Sequence, residues 1–278
     1  MQTIDIVAAL ASAVLHAGWN AAVKASPRPD EAMGAQMMSS ALLVIPILGF
    51  AGLPPLAALP WIAASMIMNT MIVVALLRAY DLAGFGIAYP FSRALSVVMV
   101  VPLAAAIAGD LVTGQQVVGI ALIVAAMGVL TFGAGREQPI PRAGLLWIML
   151  AAASTASYVI CDAQGVRAAG SALSYGCATT IANASAMAWR LSRVKSPVGV
   201  LRDNWRIGLP CAVAAVISYL LILWVWSHAP IAPAAALRDT SSVFAIIIAT
   251  LFLKERMTRP RLVAVALAIL AVPLLRLG

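Results

Sequence analysis

Hydrophobic positions along this chain fall into long unbroken runs, separated by short polar or charged turns, rather than alternating as in a half-buried strand or soluble helix. The runs cover about residues 4–23, 32–50, 60–77, 85–108, 116–132, 145–164, 172–188, 209–226, 233–253 and 262–278. Each is about long enough to cross a hydrocarbon core of ~30 Å as a helix, and the charged turns between them belong outside it. The pattern therefore predicts an all-α membrane protein of ten transmembrane helices. The last two runs form the clearest hairpin, with the octet Lys254 to Arg261 between them.

Some charges interrupt the runs. Arg93 lies inside the fourth, and Arg238 and Asp239 lie inside the ninth. A charge at the centre of a span costs about 2.5–3.5 kcal/mol on insertion scales, so each needs a partner or a hydrated cavity. Mutual neutralisation of the neighbours Arg238 and Asp239 is the simpler expectation, and a shared polar cavity the sharper one.

The chain also repeats. A shift of 145 lays Arg93 on Arg238, Asp110 on Glu255 and Thr113 on Thr258, together with several apolar matches. A shift of 142 lays His16 and Asn20 on Tyr158 and Asp162. Such correspondences read as duplication. Half of the chain holds five spans, and a tandem duplicate with an odd span count crosses the membrane in the opposite sense. The expected architecture is two inverted five-helix repeats around a central cavity, residues 1–133 and 142–278, joined by a linker at 134–141.

Composition narrows the class. Hydrophobic residues make up 63% of the 278 residues and charged ones 10%, far from the average of soluble domains. Mean hydropathy is +0.99. The net charge of +8 suits topology signals better than nucleic-acid binding, because no aromatic-basic stripe accompanies it. Fourteen of the eighteen basic residues lie in the loops after spans one, three, five, seven and nine, and only Arg167 and Arg276 lie on the other side. This imbalance places the odd-numbered loops in the cytoplasm and both termini outside. Cys161, Cys177 and Cys211 sit in apolar runs without metal-like spacing, so neither a disulfide framework nor a metal site is expected. No basic segment precedes the first run, so a cleaved signal peptide is not expected.

Candidate binding residues are the polar and aromatic groups that share helical faces inside the spans. His16, Trp19 and Asn20 share one face of the first span, where Trp19 and Lys24 could instead be interfacial anchors. Tyr89 and Arg93 are four apart after a Gly-rich, Pro90-containing entry that predicts a broken or kinked helix. Tyr158 and Asp162 repeat the spacing in the sixth span. Asn69 reads as a helix–helix hydrogen bond, Trp226 and His228 as an interfacial belt, and the fifth span as a packing or dimer contact. A cavity with Arg93 and Arg238 for a carboxylate, Asp162 and Asp239 for an ammonium, and Trp19, Tyr89 and Tyr158 for a flat side chain suits a zwitterionic aromatic compound such as an amino acid.

These residues together resemble the ten-helix EamA-type branch of the drug/metabolite transporter superfamily, over nearly the whole chain. The resemblance rests on His16-Ala-Gly-Trp19-Asn20 with Lys24, on Tyr89-Pro90 followed by Arg93, and on Tyr158 and Asp162 followed by Gly165-Val-Arg167. It rests also on Ala236-Leu-Arg238-Asp239-Thr240-Ser241 and on Leu253-Lys-Glu255-Arg256. The chain departs from the pattern at Gly109-Asp110, where the branch usually has Gly-Glu. The resemblance implies an exporter of small metabolites, similar to bacterial aromatic amino acid exporters, in a bacterial inner membrane, as a monomer or weak dimer and without cofactors. A membrane enzyme would need clustered acidic ligands or a nucleophile–base pair, which ten scattered carboxylates do not offer. A channel would need symmetric rings of groups. Proton-driven drug or metabolite export is the alternative. Small multidrug relatives use a first-span Glu for the proton, and its absence here leaves His16, Asp162 or Asp239.

Overall fold

The computed structural model describes residues 1–133, 140–252 and 257–277, and among them the chain is helical with no strand. The helices are α1 (Thr3–Lys24), α2 (Pro29–Ala51), α3 (Leu59–Ala83), α4 (Phe85–Leu103), α5 (Gly114–Gly133), α6 (Arg142–Ala169), α7 (Ala172–Ser192), α8 (Pro197–Asp203), α9 (Trp205–Trp226), α10 (Ile231–Asp239), α11 (Ser241–Phe252) and α12 (Arg259–Leu277). Among the described residues, seven stretches are long and apolar enough to cross a bilayer: α1, α2, α3 with the 3-10 turn before it, most of α4 with its extension, most of α5, α6 and α9. Leu42, Ile45, Phe50, Ile67, Leu146, Leu262 and Ile269 turn large apolar side chains outward. In water such a surface would be an aggregation liability, and in lipid it is the expected exterior. The chain is a multi-pass membrane protein.

The expectation of ten plain spans needs correcting in two places. The ninth run is two helices, α10 and α11, because the chain tightens at Thr240: its N–H and its hydroxyl both bond the Leu237 carbonyl, at 3.2 and 2.6 Å. An i to i−3 bond in place of i to i−4 winds one turn too tightly to be continuous α-helix. The basic loop after α7 holds an extra helix, α8. Its start is set by Pro197 at the first position and by Ser196, whose hydroxyl accepts from the Gly199 N–H. The linker expected at 134–141 falls largely outside the described residues, as does the Leu253-Lys-Glu255-Arg256 motif.

The break expected near Pro90 is also elsewhere. Pro90 and Pro102 lie inside a continuous α4. The turn into it is made at Gly84, which has φ 77° and ψ 149° and serves as both the end of α3 and the cap of α4. That conformation is accessible essentially only to glycine. The far end of α4 continues as a π-helical turn, Ala104–Ala108, and stops at Gly109 in the left-handed region. Pro46 likewise sits within an unbroken α2.

Packing pairs the helices closely: α1 with α9, α3 with α6, α2 with both α7 and α9, α4 with α5 and α6, α5 with α12, and α10 and α11 with α1. Small residues allow the approach. A Cβ on Gly208 of α9 would fall 3.0 Å from the Ala35 Cβ of α2, and one on Gly119 of α5 would meet the Leu275 side chain of α12 at 2.9 Å. The fifth span is thus a packing element, its partner being the last helix of the same chain. The main apolar core runs from Ile6 and Ala9 of α1 through Val97 of α4, Ile160 of α6 and Ile222 of α9 to Leu237 of α10.

Candidate functional site

Two polar clusters lie within the bundle. The first is built on α4 and α10. Arg93 stands eight residues inside α4 and Asp239 eight residues inside α10, about 12 Å of helix in each case. The two helices bring an Arg93 guanidinium nitrogen 3.3 Å from Oδ1 of Asp239. The Tyr89 ring lies one turn before Arg93 on the same face, with the guanidinium carbon 5.3 Å from its centroid. The partner expected for Asp239 was its neighbour Arg238. The direct ion pair goes to Arg93 instead, since successive helical residues point about 100° apart and cannot easily face each other, while Arg238 still acts on Asp239 electrostatically. Arg238 instead lies over the Trp226 indole, 5.6 Å from its centroid, a cation–π contact with a fully buried ring. Trp226 is accordingly core, not belt.

The second cluster surrounds Asp162 on α6, whose side chain is sealed from solvent. Ser65 of α3 donates its hydroxyl to Oδ1 at 2.7 Å, Tyr175 of α7 donates to the same oxygen at 3.1 Å, and Tyr219 of α9 donates to Oδ2 at 2.8 Å. Tyr158, one turn earlier on α6, brings a fourth hydroxyl to the group. Desolvating a carboxylate costs several kcal/mol even after relaxation. Hydrogen bonds to a charged group return about 1.5–3 kcal/mol each. Three or four hydroxyls are therefore of the size needed to hold the ion without a cation. Gly165 makes this possible: a Cβ there would come 2.3–2.4 Å from the Tyr175 ring and hydroxyl, so only glycine lets the ring lie against α6.

Of the residues expected to line one cavity, the structure thus joins Tyr89, Arg93 and Asp239 in one group and Tyr158 with Asp162 in another. Arg238 acts electrostatically on Tyr158 and on His16, and His16 also feels Arg93, so His16 and Arg238 stand between the two groups. Trp19 and Asn20 do not join them. The Asn20 amide donates to the His16 carbonyl of its own helix at 2.8 Å. Trp19 touches the His16 ring edge-on but packs into a small apolar cluster with Val23, Ala32, Met33, Ile207 and Cys211, between α2 and α9. Asp162 is likewise corrected as an ammonium site open to a cavity, because protein hydroxyls occupy it. Ser65 and Tyr175 were missed by the sequence reading. Each is a lone hydroxyl whose only signal is a partner about a hundred or thirteen residues away.

Both ends of the bundle are tied by charges. At one end Asp110 accepts the Ile231 N–H at 2.6 Å and pairs with Arg167 at 3.6 Å, while Arg167 donates to the Trp226 and Ala229 carbonyls at 3.0 Å each. One carboxylate and one guanidinium thus bind the first N–H of α10, the last carbonyl of α9 and the Ala229 carbonyl in the turn between them. His228 joins Asp5 of α1 at 2.9 Å there, instead of lying free at an interface. At the other end Glu31 binds Lys195, the Asn204 amide and Arg28, linking the start of α2 to the turn before α8 and to the start of α9. A cleft between α3 and α7, beside Met37 of α2, is lined by Asn69, Val73, Asn183 and Arg190 and runs on towards Arg78 and Asp81. Asn69 lines this cleft; a helix–helix hydrogen bond from it is not among the described bonds. Among the described residues no cluster of His, Cys, Asp and Glu could hold a metal.

Residues 142–277 match the EamA-like transporter family. The match covers α6 to α12, so the EamA-like half holds Asp162, Tyr158, Arg238 and Asp239, while Arg93 and Tyr89 lie before it. One solved crystal structure is similar over 99% of this chain and 96% of its own, with a TM-score of 0.78 at 14% identity, which shows the fold alone. No curated protein matches the chain.

Proposed function

We propose that this protein is a secondary transporter that exports small zwitterionic metabolites, amino acids and aromatic ones among them, by alternating access. The observation that carries the reading is the Arg93–Asp239 pair, one charge from each half of the chain, meeting inside the bundle at 3.3 Å with the Tyr89 ring beside it. A free amino acid carries both complementary charges. Its carboxylate can take Arg93 and its ammonium Asp239, so opening the pair leaves neither charge stranded. A ligand with one charge would leave the other side unsatisfied.

Two inverted five-helix repeats fit the helix pairing. If α1, α2, α3 and α5 correspond to α6, α7, α9 and α12, and α4 to α10 with α11, then α1–α9 mirrors α6–α3, α2–α9 mirrors α7–α3, and α4–α6 mirrors α10 and α11 on α1. The pairs α2–α7 and α5–α12 map onto themselves, and all of these contacts occur. The α3–α7 interface carries a cleft, whereas its mirror α2–α9 is pressed together at Gly208 and Ala35. The cleft runs toward Arg78 and Arg190, the side that the basic-residue count assigns to the cytoplasm. On this reading the odd-numbered loops face the cytoplasm of a bacterial inner membrane, with both termini outside.

Counterflow in proteoliposomes tests the function: vesicles loaded with one unlabelled amino acid at a time should take up its labelled form. Phenylalanine, tyrosine and leucine are expected to exchange, and Arg93→Gln to weaken exchange at least tenfold. Absence of exchange for every amino acid in a full panel would refute the substrate class.

A further inference from the structure

We infer that Asp162 is a proton-binding site and that the protein exchanges one proton for each substrate it exports. The inference rests on the transport reading, but its evidence is separate. Asp162 is fully buried, and its described partners are all hydroxyls: Ser65 of α3, Tyr175 of α7, Tyr219 of α9 and Tyr158 of its own helix, with the Cys161 thiol beside it. The other elements packed on α6 turn their charges elsewhere: α4 gives Arg93 to Asp239, and α10 gives Arg238 to the Trp226 ring and the neighbourhood of Tyr158.

A structural carboxylate at this depth is normally paired with a fixed cation, as Asp239 is with Arg93 and Asp110 with Arg167. No described ion pair includes Asp162. Hydroxyls differ from cations in one decisive way, since each can donate or accept. All can donate to the ionised carboxylate, and when the carboxyl takes a proton, one can rotate and accept from it. The shell thus satisfies both protonation states, which an arginine partner could not do. Tyr219 donates to Oδ2, and its hydroxyl can pass on its own proton as it receives the next, which makes it the relay to the carboxylate. Of the groups able to carry a proton, Asp239 is held by Arg93 and His16 faces two arginines. Asp162 alone lacks a competing cation.

Coupling to substrate runs through Tyr158 and Arg238: Arg238 acts electrostatically on Tyr158 beside Asp162 and also on Asp239, the proposed ammonium site. If the two halves are repeats, they also set the stoichiometry. The position matching Asp162 in the first half is Asn20, an amide that cannot bind a proton, so a cycle carries one. It suggests the test variant as well, because Asp162→Asn places in the second half the residue that the first half already tolerates.

The test uses the full chain in lipid vesicles. Infrared difference spectra between acid and alkaline pH should show the carbonyl stretch of one buried carboxylic acid, absent from Asp162→Asn. A wild-type spectrum without that band, or one that the variant retains, overturns the inference. Transport is read with labelled phenylalanine. Across an imposed pH gradient, with the membrane potential clamped at zero by potassium and valinomycin because the exchange moves one net charge, wild type should accumulate it about tenfold per pH unit, the ratio for one proton per neutral zwitterion. Asp162→Asn should show no accumulation beyond equilibration. Accumulation by the variant at the wild-type level overturns the proton site. Failure of wild type to exchange phenylalanine even without a gradient counts against the substrate proposal, while the infrared band still decides this one.

Discussion

The ion pair between the halves can be weighed by a double-mutant cycle. At 3.3 Å and an effective dielectric of about 20, the Coulomb attraction between Arg93 and Asp239 is about 4–5 kcal/mol before desolvation is counted. Both side chains are mostly buried, at 20% and 12% exposure, so screening by water is weak. Removing one partner leaves an uncompensated charge and should cost ~3–5 kcal/mol, whereas removing both should cost much less than the sum. Arg93→Gln, Asp239→Asn and the double variant, unfolded with SDS in mixed micelles, should therefore show a coupling of at least about 1.5 kcal/mol. The control is the same cycle on Arg238 and Asp239. Those residues are neighbours in sequence and Arg238 acts on Asp239 electrostatically, but its guanidinium lies on the Trp226 ring and makes no described ion pair with the carboxylate, so the expected coupling is smaller than that of Arg93. A larger coupling for Arg238 than for Arg93 would refute the assignment of partners and restore the reading of adjacent charges as a self-neutralising pair.

Gly165→Ala should destabilise the protein by ~1–3 kcal/mol, because the new methyl displaces the Tyr175 ring. In a Tyr175→Ala background, itself destabilised by loss of the buried ring and its bond to Asp162, adding Gly165→Ala should cost little further in the same SDS titration. Trp19→Ala should lower transport of aromatic and aliphatic amino acids to the same extent, since the indole packs between α2 and α9 and does not join the ion pair; a selective loss for aromatic substrates would return Trp19 to the binding site. A cysteine at Ser196, in the turn before α8, should react with a membrane-impermeant thiol reagent only once the cytoplasmic face is opened. Labelling in intact cells would invert the topology.

The membrane class, the positions of nearly all the long helices and the presence of Arg93, Asp162, Arg238 and Asp239 within apolar runs were legible in the sequence. Each follows from a local quantity, the length of an apolar run or a charge within it, that survives any packing. The break at Thr240 and helix α8 were not, because each depends on side-chain bonds to nearby backbone that hydropathy does not register. Partner choice was the larger omission. Sequence adjacency suggested Arg238 for Asp239, but the helical rotation between successive residues separates them, and the approach of α4 to α10 supplies Arg93 from 146 residues away. The shell around Asp162 shows the same limit. Tyr158 is found by its spacing of four on one helix, whereas Ser65, Tyr175 and Tyr219 arrive from three other helices and converge only because Gly165 leaves room for a ring. A carboxylate in an apolar run announces that something must offset its burial. Which groups do so is decided by the packing of the helices that meet there.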